Sequence, residues 1–254
     1  MTGTFTPRPG AAPLPRMVLA QAAMESRLLV RNGEQLLLAV VIPVIVLVGG
    51  VLAAQRVGLE LSGRPVDVLT PGVLALAVMS TAFTSLAIAT GFERRYGVLK
   101  RLGTSPLPRS GLLLGKIGAL FLVELGQLVV VGGVALALGW SPDVAVVGLL
   151  FTVLAGTFAF ASLGLLVAGV LRAEATLAAA NLVYLLLLAG GAVVLPASSY
   201  GAWGSLAQWL PSGALGEAMR SALGDGSLPV LPLIVLAAWG VVGTVLTARS
   251  FRWE

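Results

Sequence analysis

Long apolar runs, separated by short polar segments, dominate the pattern of residues along this chain. Six runs carry almost no charge, and they span residues 36–54, 71–91, 112–139, 144–171, 175–195 and 230–248. Most of them are about 20 residues long or longer, which is enough for a helix to cross the hydrocarbon core of a bilayer. Helices of soluble proteins normally carry a polar face, and nearly uncharged runs do not fit that pattern. The pattern therefore predicts an all-α polytopic membrane protein with six transmembrane helices.

The segment before the first apolar run is more polar. Residues 1–15 are rich in Pro and Thr, so we expect a mobile tail there. Residues 16–35 mix apolar and charged side chains, which favours an amphipathic helix on the inner membrane surface over a cytoplasmic extension of the first span. No signal peptide is expected, because the positive region lies too far from the first apolar run. Residues 16–254 are then predicted to form one transmembrane domain.

The composition supports a membrane protein and excludes several kinds of chemistry. Hydrophobic residues make up 57% of the chain and charged residues 11%, against about 25% charged in ordinary soluble domains. The chain has no Cys and no His, which excludes thiolate nucleophiles, imidazole acid–base catalysis and Cys/His zinc sites. The positive charge does not form one long basic patch, so nucleic acid is not an expected partner.

The basic residues instead predict the orientation of the spans, since Lys and Arg favour the cytoplasmic segments of membrane proteins. If the N-terminus lies inside, only three of the 16 Lys and Arg residues fall in outer segments, namely Arg56, Arg64 and Arg220. Both termini are therefore predicted to be cytoplasmic.

Residues 110–117 superficially resemble a phosphate-binding loop around the pair Gly115-Lys116. That loop needs a Gly where this chain has Ser110, and a Ser or Thr where it has Ile117. No nucleotide site is predicted, and we expect neither a bound cofactor nor enzymatic activity from this chain alone. Lys116 is interpreted as a cation that snorkels to the inner membrane interface.

A few polar side chains within the spans are candidates for a translocation path or a gate. Glu124 lies about 12 residues into the third span, where a carboxylate costs several kcal/mol unless it meets water, a partner or a proton. Gln127 lies one turn further on the same face and is expected to share a hydrogen bond with it. Asn181 and Tyr184, three residues apart in the fifth span, could line one cavity. The alternative role of these residues is to hold helices or subunits together.

The loop between the second and third spans, residues 91–109, has the most distinctive sequence in the chain. Basic and apolar residues mix over 93–102, which suits a short helix on lipid headgroups or in a groove of a partner. The loop resembles that of the permeases of type-2 ABC exporters, a family that includes daunorubicin-resistance permeases. Their loop typically reads Glu-x-x-x-Gly-Thr-Leu-Lys/Arg-x-Leu, followed by Thr/Ser-Pro. The matching residues are Glu93, Gly97, Leu99, Lys100, Leu102 and Ser105-Pro106, with Val98 in place of the usual Thr.

The resemblance implies a function and partners for the chain. In that family the loop is a coupling helix that seats in a separate ATP-binding subunit. The implied contact residues are Glu93, Arg94, Gly97, Leu99, Lys100 and Leu102. The chain would be the membrane subunit of an ABC exporter in the bacterial plasma membrane, paired with an identical or homologous permease, while the ATP-binding subunit uses ATP and Mg. The apolar spans favour a lipophilic or amphipathic substrate, such as a drug in multidrug efflux or a lipid.

The outer segment 195–229 resembles the short outer helices of the same family, which dip back into the membrane and cap the cavity. The candidate cap residues are Trp203, Trp209, Pro211, Glu217 and Arg220. The alternative for the two Trp residues is an ordinary role as anchors at the membrane interface.

Other classes of membrane protein remain open at this point. A secondary transporter or a membrane enzyme would be expected to show more ionisable residues within the spans than Glu124. A structural or regulatory membrane partner would use the same loop to bind something else. Co-purification with an ATPase distinguishes the exporter from these alternatives.

Overall fold

The computed structural model describes residues 12–31, 33–57, 63–102, 104 and 107–251, and every regular element in these residues is helical. In chain order the elements are α1 (Leu14–Arg31), α2 (Gly33–Val57), α3 (Pro65–Met79), a π-helical segment (Ser80–Ser85), α4 (Leu86–Arg95), α5 (Val98–Leu102), α6 (Arg109–Ala137), α7 (Val146–Val170), α8 (Ala173–Gly190), a 3-10 helix (Ala197–Trp203), α9 (Gly204–Ala207), α10 (Pro211–Leu223) and α11 (Val230–Ser250). Of the mobile tail predicted over residues 1–15, residues 1–11 lie outside the described residues. Helix α1 begins at Leu14, before the predicted end of that tail.

Six helical units in the described residues are long and apolar enough to cross a membrane, which confirms the predicted all-α fold. These units are α2, the continuous stretch from α3 through the π-helical segment to α4, α6, α7, α8 and α11. The second unit runs from Pro65 to Arg95 and so extends beyond the apolar run 71–91 at both ends. Pro71 lies inside it and removes one backbone hydrogen bond. The helix continues through this Pro because the residues around it are buried in the bundle.

The second unit forms the centre of the bundle. In its most apolar stretch 72% of the residues are buried in the bundle, against 17% in the corresponding stretch of α8. Helices α2, α6, α7, α8 and α10 pack around it. The approach to α7 is close at Gly164, where a Cβ atom would lie 2.8 Å from the carbonyl oxygen of Phe83. The loop that follows α4 is therefore joined directly to the core, and the end of the bundle that carries it is called the loop end below.

Helix α1 packs against the beginning of α6 at the loop end. Gly115 makes room for it, because a Cβ atom there would lie 2.6 Å from Cγ of Gln21. On α1, Leu19 and Leu28 remain 69% and 59% exposed. A helix that packs on the bundle with one side and leaves apolar residues exposed elsewhere is suited to the membrane surface.

Short helices occupy the opposite end of the bundle, between α8 and α11. Helix α10 buries most of its residues against α3, α7 and α11. The backbone N–H groups of Asp143 and Ala145 donate to the carbonyls of Leu223 and Ala222 at 3.0 and 2.8 Å. The outer segment is therefore part of the packed bundle and not a loose connection.

Candidate functional sites

Three charged side chains from three helices meet at the loop end. Lys116 Nζ of α6 donates to Glu93 Oε1 of α4 at 2.6 Å and to Glu25 Oε1 of α1 at 3.0 Å. Gln21 Nε2 also donates to Glu25 Oε1, at 2.9 Å. Only 5% of the Lys116 side chain is exposed. Glu25, Lys116 and Glu93, called the buried ion cluster below, thus connect α1, α4 and α6.

The interpretation of Lys116 as a cation that snorkels to the membrane interface is wrong. Helix α1 covers the beginning of α6 and brings Glu25 against Lys116, so the ammonium group binds two carboxylates inside the protein. The partner helix is distant in sequence, and no local pattern around Lys116 indicates its presence.

Arg94 connects the end of α4 to the end of α7. Its Nη1 donates to the carbonyl oxygens of Ala168 and Gly169 at 2.7 and 2.6 Å. Its Nη2 donates to the carbonyl oxygen of Leu171. The last carbonyls of a helix lack partners within that helix and carry the negative end of its dipole, so a guanidinium group stabilises them.

Arg95 adds a connection to α8. It forms an ion pair with Glu174, which lies in the first turn of that helix. Residues 93–95, called the junction segment below, therefore connect α4 to α6, α7 and α8 through three consecutive side chains, and to α1 through Lys116. The sequence predicted these charges in a short loop helix over residues 93–102, whereas the structure places them at the end of α4 and begins α5 only at Val98. Nothing in the sequence indicated their partners.

The loop beyond the junction segment turns its apolar side inward and presents a polar surface. Gly97 adopts a φ angle of 68°, in the left-handed region that favours glycine. Leu99 is only 5% exposed, whereas Tyr96 is 63% exposed. Lys100 and Arg101 are also exposed. We call the exposed residues Tyr96, Lys100 and Arg101, together with the partly exposed Gly97, the exposed loop surface.

The residues predicted as the coupling contact occupy three different environments. Those engaged with the bundle itself are Glu93, Arg94 and Leu99. Those on the exposed loop surface are Gly97 and Lys100, while Leu102 is partly buried. Tyr96 was missed by the sequence reasoning, although an aromatic residue directly before the loop Gly is a usable signal. Its ring stacks on that of Phe92, with the centroids 6.1 Å apart.

Glu124 and Gln127 of α6 are both buried, but they belong to different networks. Glu124 Oε2 accepts from Thr157 Oγ1 of α7 at 2.7 Å, and its Oε1 has no hydrogen-bond partner among the described residues. Gln127 Nε2 donates to the Ala39 carbonyl of α2 at 2.8 Å, and its Oε1 accepts from Thr81 Oγ1 at 3.1 Å. The expected hydrogen bond between Glu124 and Gln127 does not form, because each side chain binds a different neighbouring helix.

The π-helical segment gathers polar side chains in the middle of the second unit. Gln127 binds Thr81, and the hydroxyl group of Tyr184 interacts with Ser80. A π turn within an α-helix often marks a functional site. Asn181 is exposed on α8, three residues before the partly buried Tyr184. The structure therefore places Gln127 and Tyr184 around the π-helical segment and leaves Asn181 on an outer face of the chain.

At the opposite end, side chains satisfy five consecutive backbone carbonyls at and after the end of α8. The donors are Trp203 Nε1 to Gly190 (2.8 Å), Ser212 Oγ to Gly191 (2.9 Å) and the Arg220 guanidinium to Ala192, Val193 and Val194 (3.0, 3.3 and 3.4 Å). Irregular backbone at membrane depth must be satisfied within the protein, and this segment meets that requirement.

The remaining predicted cap residues support the same arrangement. Glu217 and Arg220 both belong to α10 and form an ion pair at 3.3 Å, so the carboxylate orients the guanidinium group. Pro211 begins α10 and is buried. The carbonyl of Trp209 accepts from Trp239 Nε1 of α11 at 2.9 Å, while the Trp209 side chain is 53% exposed. Trp203 and Arg220 thus bind the backbone directly, whereas Trp209 joins the outer segment to α11 through its main chain.

These features define a six-span membrane protein. At one end a loop is bound to its core, and at the other end the backbone carbonyls of the outer segment are satisfied by side chains of the same protein. The family model of ABC-2 type transporters matches residues 17–223. The chain belongs to the ABC-2 type transporter family, which confirms the resemblance seen in the loop. It is a membrane permease subunit of an ABC transporter, and the family implies association with an ABC nucleotide-binding subunit. No curated protein and no solved structure matches this chain.

Proposed function

We propose that this permease belongs to an ATP-driven exporter that moves a lipophilic or amphipathic substrate, such as a drug or a lipid, across the bacterial plasma membrane. The loop end faces the cytoplasm, as do both termini. The exposed loop surface contacts the nucleotide-binding subunit, which uses ATP and Mg. Two permease subunits, identical or homologous, surround the path.

The observation that carries the proposal is the junction segment, residues 93–95. It directly precedes the exposed loop surface, and its side chains bind α6, α7 and α8, while Lys116 extends the connection from Glu93 to Glu25 of α1. These hydrogen bonds involve charged groups, which makes them stronger than neutral ones. A displacement of the loop by a partner would therefore move several spans together. A loop that only rested on lipid headgroups would need no such connections.

Part of the family motif thus transmits movement, while its neighbours make the contact. Glu93 and Arg94 use their charges inside the bundle, so they are positioning residues. Gly97 leaves open space where a Cβ atom would stand, which lets a partner approach the backbone. Tyr96 and Lys100 flank this open position with an aromatic ring and a cation.

The exposed amide of Asn181 supports a second permease subunit. Asn181 lies in the middle of α8, between the exposed residues Leu177 and Leu185 one turn away on either side. An amide that faces hydrocarbon without a partner costs free energy, whereas one at a helix contact or in an aqueous path does not. This face of α8 is therefore assigned to the wall of the path between two permeases. Its two Leu residues suit a cargo that is mostly apolar.

The coupling contact is tested with Tyr96→Ala and Lys100→Glu in the full chain, purified from its native membrane. The matched control is Arg16→Glu, which makes the same charge change at an exposed position in the first turn of α1. The measurements are membrane abundance, the amount of nucleotide-binding subunit that co-purifies, and export of a lipophilic dye. We expect both loop variants to lose the nucleotide-binding subunit and export at normal abundance, while the control keeps both.

Binding to headgroups would give a different result, because it depends on total positive charge. In that case Lys100→Glu and Arg16→Glu would have equal effects and Tyr96→Ala would have none. Full retention of the ATPase and of export in both loop variants would remove the exposed loop surface from the coupling role.

A further inference from the structure

A cavity of about 530 Å³ lies between α6, α7 and α11. Its walls are mostly apolar and include Leu113, Phe121, Leu154, Phe158, Leu165 and Phe251. Leu154 and Phe158 are 40% and 42% exposed, so the cavity opens sideways between the helices onto the outer surface of the bundle. The volume falls within the range of small-molecule sites, about 300–1,000 Å³.

Three of the four hydroxyl groups in the walls, those of Thr157, Ser162 and Thr247, are engaged within the protein. Thr157 Oγ1 binds Glu124 Oε2 at 2.7 Å. Ser162 Oγ donates to the carbonyl of Ala159 at 2.8 Å, and Thr247 Oγ1 donates to the carbonyl of Ser162 at 3.0 Å. The cavity therefore offers a ligand extensive dispersion contacts and few hydrogen bonds.

The cavity lies in the half of the bundle nearest the loop end. Its walls come from the first half of α6, from residues 154–165 of α7, which cover the middle of that helix and part of its second half, and from the last turns of α11. Exposed cations lie at the ends of two of these helices, since Arg249 follows the lining residue Ala248 in the last turn of α11 and Arg172 comes just after α7. Phe251 joins the two helix ends, because its ring packs against Gly169. The cavity thus opens to one leaflet, with positive charge at the boundary of that leaflet.

We propose that this cavity binds one acyl chain of an anionic phospholipid from the leaflet at the loop end, with the headgroup beside Arg249 and Arg172. An empty apolar space of this size would leave its walls without dispersion contacts, and the surrounding bilayer supplies hydrocarbon chains that restore them. Basic residues at a membrane surface attract anionic headgroups. The site needs neither the nucleotide-binding subunit nor a second permease, so it stands independently of the proposed transport.

The test is native mass spectrometry of the full chain after reconstitution in equal amounts of phosphatidylglycerol and phosphatidylethanolamine and release into detergent. We expect the parent to retain one phospholipid, mostly phosphatidylglycerol. Thr244→Trp and Ala248→Trp place a ring at exposed lining positions of α11 and should each abolish retention. The matched control is Val245→Trp, an exposed position of the same helix outside the lining, which should retain lipid as the parent does.

A further variant tests the headgroup contact separately. Arg249→Gln should still retain a phospholipid but lose the preference for phosphatidylglycerol. Equal retention in Thr244→Trp, Ala248→Trp and Val245→Trp, with thermal unfolding as in the parent, would overturn the proposal. A disulfide between two copies of the Thr244→Cys variant would also overturn it, because a second copy would then cover the cavity. Loss of export in the loop variants bears on coupling alone and leaves this result unaffected.

Discussion

Replacement of the cation in the buried ion cluster is expected to destabilise the bundle. Lys116→Met keeps a long flexible side chain but removes the ammonium group that Glu25 and Glu93 share. The side chain of Lys116 is 5% exposed and those of Glu25 and Glu93 are 14% and 21% exposed. Breaking a buried ion pair by removing one partner costs about 3–5 kcal/mol. Because both carboxylates keep some access to water, we expect a loss near or below the lower limit, about 2–3 kcal/mol.

The loss should be partly reversible by a second substitution. Glu93→Gln in the Lys116→Met background removes one of the two unpaired charges, so the double variant should recover at least about 1 kcal/mol relative to additivity. Thermal unfolding of the purified chain in detergent measures Lys116→Met, the single variant Glu93→Gln and the double variant. The control is Arg101→Met, an exposed position of the loop, which should change stability by no more than about 0.5 kcal/mol. Equal unfolding temperatures for Lys116→Met and Arg101→Met would refute a stabilising role of the cluster.

Three other predictions concern the cap, the orientation and the third span. Arg220→Met leaves the carbonyls that the Arg220 guanidinium binds unsatisfied and should lower stability by about 2 kcal/mol or more. Arg220→Lys should be more stable than Arg220→Met but less stable than the parent, because one ammonium group cannot span all of these carbonyls. Thermal unfolding measures both variants, and an unchanged transition in Arg220→Met would contradict the role of the cap. A cysteine at Ser198 should react with an impermeant maleimide in intact cells and one at Ser250 only after permeabilisation, whereas external labelling at Ser250 would reverse the orientation. Glu124→Gln can still exchange a hydrogen bond with Thr157 and should keep most export, while Glu124→Leu should lose it; an inactive Gln variant at normal abundance would instead indicate that the titratable proton is required.

The coupling loop shows why a motif does not specify which of its residues make the contact. Glu93, Leu99 and Lys100 all fit the family pattern, yet Leu99 faces the interior and Glu93 binds Lys116. Only Lys100 of these three is exposed. The charge at Glu93 is therefore expected to affect the movement of the spans more than the affinity for the partner. A Leu99→Asp variant would disturb the loop itself and is a poor probe of docking.

The spans and their number follow from the sequence alone. Apolarity over about 20 contiguous residues is a local property, and it decides by itself whether a segment can cross a bilayer. The loop motif is local in the same way, so residues 93–106 by themselves indicate the family. The ends of the helices were predicted less accurately from the sequence. The second unit begins at Pro65 and ends at Arg95, outside the apolar run 71–91, because polar residues at a helix end are accommodated by packing and by partners on other helices.

The roles of the polar residues depended on contacts between distant parts of the chain. Lys116 has the same local sequence whether it snorkels or is buried, and its partners Glu25 and Glu93 lie 91 and 23 residues away. Gln127 binds the carbonyl of a residue 88 positions away in the sequence. Nothing near Gln127 in the sequence predicts that partner rather than Glu124. A buried charge or amide is stabilised by the particular groups that surround it, and only the packing of the helices brings those groups together.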